Sequence, residues 1–87
     1  MTVRDAILSR LTENGLSPDD ATAVWVALAR SPLFAASPAL WDRDVETMAE
    51  QAFYQVWRFA CAEAVKLIDH NYAGAHWARS DFDAAAR

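Results

Sequence analysis

The chain has 87 residues, enough for one modest core and not for a second. Eight Lys and Arg against twelve Asp and Glu leave a net charge of −4, which argues against a nonspecific grip on a phosphate backbone. A single cysteine, Cys61, excludes an internal disulfide, and no basic start leads into a long apolar run, so neither secretion nor a membrane is indicated and a cytoplasmic location is expected.

Hydrophobic residues make up 54% of the chain while Gly and Pro total five, a balance that leaves few turns for a many-stranded sheet and predicts a single all-α domain. The 19 alanines favour helix, and seven Arg against one Lys suggest a GC-rich coding sequence from a bacterium or its phage.

In chain order, Thr2 is placed to cap a first helix from about Val3 to Glu13, with Asp5 three residues on and Asn14-Gly15 as its stop. Ser17-Pro18-Asp19-Asp20 starts a second: serine as cap, proline where its missing N–H costs nothing, acids at the positive end of the dipole. Its body, Ala23 to Ala29, is apolar on every side, which predicts a helix held centrally by its neighbours. Ser31-Pro32 and Ser37-Pro38 bracket a connector, because each proline disfavours helix at the residue before it.

No Gly or Pro interrupts the run from about position 44 to Asn71, and the spacing of Val45, Met48, Phe53, Val56, Ala60, Ala64 and Ile68 predicts one long helix over it. Its apolar positions span an arc of about 200°, so it needs cover on two sides. At 1.5 Å per residue it is about 40 Å long, against a diameter of about 30 Å for a compact chain of this size, so it is expected to protrude or to be clasped by a second copy. Asn71-Tyr72-Ala73-Gly74 supplies a stop, and Ser80-Asp81-Phe82-Asp83 opens a short final helix. The expected fold is thus a small bundle of three main helices plus a short C-terminal one.

Glu63 falls within the apolar arc, where a carboxylate needs a partner or its proton. With Asp69, His70 and His76 it can be drawn as a metal or acid/base site, but two full turns separate Glu63 from His70 and no HExxH or Cys/His cluster accompanies them. The simpler expectation is that Glu63 pairs with an arginine across a helix interface. Cys61 sits well inside a helix, in a packing position. No glycine-rich phosphate loop and no G-x-S-x-G serine is present, so neither a cofactor nor catalysis is expected.

Asp42, Asp44, Glu46 and Glu50 set four acids against Arg43 within nine residues. Acids in the first turn of a helix compensate its dipole, which accounts for Asp42, Asp44 and Glu46 but not for Glu50. Trp25 is assigned to the core, and Trp57, at the rim of the arc, is assigned as an interface anchor. The five residues Asp42, Asp44, Glu46, Glu50 and Trp57 thus form a candidate docking face for a protein partner with a basic surface.

The tail Ala64-Val65-Lys66-Leu67-Ile68-Asp69-His70-Asn71-Tyr72-Ala73-Gly74-Ala75-His76-Trp77 resembles the ending of small phage and prophage proteins of GC-rich bacteria. In size, acidity and lack of catalytic residues the whole chain resembles anti-CRISPR proteins. That resemblance implies a non-enzymatic inhibitor that binds a CRISPR-Cas effector in the host cytoplasm. The competing expectation is a small oligomerising structural or adaptor module, a homodimer whose acidic ridge is merely solvated. A helix-turn-helix DNA reader is disfavoured, since the acids stand where positive groups would meet phosphates.

Overall fold

The computed structural model describes residues 1–71 and 79–87. Its four α-helices are α1 (Val3–Glu13), α2 (Pro18–Arg30), α3 (Glu50–Asn71) and α4 (Arg79–Ala86), with 3-10 turns at Pro38–Asp42 and Val45–Thr47. The fold is all-α, and among the described residues no strand occurs beyond an isolated bridge between Thr2 and Asp44. No described helix is long and apolar enough to cross a membrane.

The first two helices start and stop on local chemistry. Thr2 Oγ1 accepts the Asp5 N–H at 3.1 Å, and Ser17 Oγ accepts that of Asp20 at 3.2 Å. At the end of α1, Gly15 adopts φ 112°, which lets its N–H reach Thr12 O and the Leu16 N–H reach Leu11 O, the paired bonds of a Schellman cap. Leu11 and Leu16 are both buried and complete it. Gly15→Ala puts a Cβ into that left-handed conformation, and urea denaturation is expected to show a loss of about 1 kcal/mol.

The long helix begins at Glu50, six residues later than position 44. The cause is tertiary: the Val3 N–H donates to Arg43 O at 2.9 Å and the Val45 N–H to Met1 O at 3.0 Å, holding Arg43 and Asp44 extended against the N-terminus. Trp41, buried against Trp25 and Phe34, anchors the connector upstream. At 22 residues α3 is about 33 Å long. That equals the 33 Å longest dimension of the molecule, so α3 spans the domain and does not protrude.

The central helix is α3 rather than α2. It buries Val56, Trp57, Ala60, Cys61, Ala64 and Ile68 and packs on α1, α2 and α4. Val3, Ile7 and Leu11 of α1 and Ala21, Val24 and Leu28 of α2 close one side, and Phe82 of α4 closes the other. Cover for the apolar arc thus comes from within the chain. By contrast α2 leaves Thr22, Ala23 and Ala27 exposed, because alanine is apolar enough to blur a pattern yet small enough to sit in water at little cost.

Candidate functional site

The four acids of the expected docking face do not share one helical ridge. Asp42 ends the first 3-10 turn and pairs with Arg4, whose Nη1 lies 3.1 Å from Oδ1. Asp44 caps the second turn, its Oδ1 accepting the Glu46 N–H at 3.0 Å. Arg43 turns away to Thr47, donating from Nε to Oγ1 and from Nη2 to the carbonyl. Glu46 and Glu50 are exposed, and neither forms a salt bridge among the described residues. The acids with partners inside the connector region are therefore distinct from those that face solvent uncompensated.

Trp57 is not a surface anchor. It is only 6% exposed, lies 6.4 Å from Phe82 and carries the Arg10 guanidinium 5.0 Å above its ring. A helical wheel of α3 places it at a rim, but α4 and α1 close over that rim, and no pattern within α3 reports this. The exposed aromatics of α3 are Tyr54, 50% accessible and one turn beyond Glu50, and Phe59, which packs an edge against Phe34. Tyr54 was legible as the i+4 neighbour of Glu50 on the polar side of α3, a position where an aromatic has no core role.

Glu63 is half-buried, and its Oε1 accepts from Lys66 Nζ at 3.3 Å rather than from an arginine. With Lys66, His70, Ala23, Ala27 and Leu67 it lines an open groove of about 350 Å3 between α2 and α3. Among the described residues no group of three His, Cys, Asp or Glu side chains is placed to hold a metal ion. His76 lies outside the described residues. Asp69 instead receives a bidentate pair from Arg79, Nε to Oδ1 at 2.6 Å and Nη2 to Oδ2 at 3.0 Å, which ties α4 to the end of α3 and holds the Arg79 guanidinium above its ordinary pKa.

Cys61 has no accessible surface, and burial pushes its thiol up to about 12 against an ordinary 9.0, with the Arg10 charge opposing the rise. A thiol so held is a packing group rather than a nucleophile.

The second cavity, about 270 Å3, was not anticipated. Trp25, Phe34 and Trp41 wall it, and Arg4 and Asp42 stand at its edge. Trp25 meets Trp41 edge-on with ring centroids 6.1 Å apart, and Phe34 tilts against Trp41 at 5.5 Å. Trp25 is half-buried, and its indole N–H is enclosed without a hydrogen-bond acceptor. The aromatic content of these segments was plain in the sequence, but their convergence depends on how the connector folds back over α2. No known protein family, curated protein or solved structure matches the chain at a significant level.

Proposed function

We propose that this chain is a non-enzymatic interaction protein that docks on a basic surface of a larger protein through Glu46, Glu50 and Tyr54. The observation that carries the reading is the pair of exposed, uncompensated carboxylates followed one helical turn later by a half-exposed tyrosine. Unpaired acids steer a basic partner into encounter, and a rigid aromatic with a polar tip supplies contact area at small entropic cost. Asp42 and Asp44 add negative potential while serving the fold. Trp57 acts from beneath, as packing that fixes the orientation of α3.

The resemblance to anti-CRISPR proteins makes a CRISPR-Cas effector subunit the partner class to test first, with the protein acting as a phage-encoded inhibitor in the host cytoplasm. Light scattering coupled to size exclusion, with purified effector complexes at low and high salt, is the test. The expected result is a complex that weakens with added salt and at least tenfold in the double variant Glu46→Lys, Glu50→Lys, with the helical circular dichroism signal retained. A salt-indifferent homodimer that binds no effector would replace this reading with the oligomeric structural module.

A further inference from the structure

The cavity walled by Trp25, Phe34 and Trp41 already shows what chemistry it accepts, because a side chain of the chain itself sits at it. The Arg4 guanidinium lies 5.6 Å over the Trp25 ring while its Nη1 contacts Asp42 Oδ1 at 3.1 Å. A cation is thereby held over an indole ring at cation–π distance and paired with a carboxylate, two interactions that suit guanidinium well. The pair is not locked: the Arg4 side chain is 35% exposed and that of Asp42 is 73% exposed. An exposed ion pair of this kind contributes little to stability, so exchanging its cation costs the fold little. Beside it remains about 270 Å3 of space faced with Trp41 and Phe34, room for the methylene stem of a second arginine.

We propose that this pocket is a receptor for an arginine side chain of a protein partner, with Arg4 as the resident stand-in that an incoming guanidinium displaces from Trp25 and Asp42. That the arginine belongs to a docked partner rests on the function proposed above, while the pocket's preference for guanidinium stands on its own geometry. The arrangement has a direct consequence: the chain's own arginine competes with the ligand, so removing it strengthens binding. The Trp25 face and Asp42 are then both open to the same kind of ion.

The probe is N-acetyl-L-arginine amide, titrated into the full chain while the tryptophan indole N–H signals are followed by NMR. In the Arg4→Ala and Arg4→Gln variants, saturable shifts are expected at Trp25 and Trp41 but not at Trp57, with affinity at least tenfold above that of the unaltered chain. Adding Asp42→Asn to either variant is expected to cost tenfold or more, and the neutral isostere N-acetyl-L-citrulline amide is expected to produce no shift. The unaltered chain at higher probe concentration gives the same pattern more weakly, so the test survives a variant that fails to fold. Absence of a saturable shift in folded protein, or equal shifts with citrulline, overturns the pocket. The Glu46→Lys, Glu50→Lys protein keeps the probe site in either case. A partner that docks without a working probe site therefore sinks this inference alone, and a working probe site without any basic partner sinks only the docking function.

Discussion

Phe82→Ala is expected to lower the unfolding free energy by about 3–5 kcal/mol, the range for truncating a fully buried phenylalanine. That is a large part of the roughly 5–15 kcal/mol available to a domain of this kind. Phe82 is the buried residue of α4, and α4 has eight residues, too few to be helical in isolation. The polar ties of α4 cannot substitute for it. Arg79 to Asp69, Arg58 Nη2 to Arg87 O and Arg87 to Asp83 are exposed contacts, screened by water and salt and therefore weak. Loss of Phe82 also uncovers Trp57. Urea denaturation followed by both tryptophan fluorescence and far-UV circular dichroism reads the change, and thermal unfolding is expected to show a Tm lowered by at least about 12 °C. Arg79→Ala, which removes only an exposed contact, is the comparison and is expected to lose far less. A Phe82→Ala loss as small as that of Arg79→Ala would mean that α4 adds nothing to the core.

Alkaline pH is expected to destabilise the protein through Cys61. In the unfolded chain its thiol ionises near the ordinary value of 9.0, whereas in the fold burial keeps it protonated until about pH 12. Below pH 9 both states hold the proton and stability is unaffected. Between pH 9 and 12 the unfolded state binds fewer protons than the folded one, so stability falls as pH rises, by an amount on the order of 3 kcal/mol across the window. Cys61→Ala removes this limb while leaving the titration of lysine, tyrosine and arginine in place. The difference between the two pH-stability curves is therefore the Cys61 contribution. Parallel curves for the two proteins from pH 8 to 11 would show that the thiol ionises equally easily in both states. The same burial predicts that a thiol reagent at pH 8 modifies the protein only in denaturant.

How much of the site was visible beforehand follows from what each residue depends on. Glu46 and Glu50 were identifiable as an i,i+4 pair of like charges with no lysine to offset them, and they remain uncompensated by salt bridges among the described residues. Asp42 and Asp44 belong to the same charge run but have internal partners, and the Arg4 pair joins residues 38 positions apart. Trp25 and Trp57 exchange their expected places. Periodicity within one helix ranks faces by apolarity, yet burial is decided by which other elements lie over a face.

The sequence by itself determined the all-α class, the caps at Thr2 and Ser17, the glycine stop at Gly15 and the existence of a short C-terminal helix. The caps and the glycine stop are set by hydrogen bonds among residues within a few positions of one another, whereas the all-α class and the C-terminal helix show in composition and spacing although it is the burial of Phe82 that holds that helix. Only the tertiary structure decided where α3 starts, which helix is central, and that Trp25, Phe34 and Trp41 converge with Arg4 and Asp42 on one open cavity. Those outcomes rest on long-range contacts such as the Val3 N–H to Arg43 O bond, which helps hold Arg43 and Asp44 extended where local propensity alone favours helix.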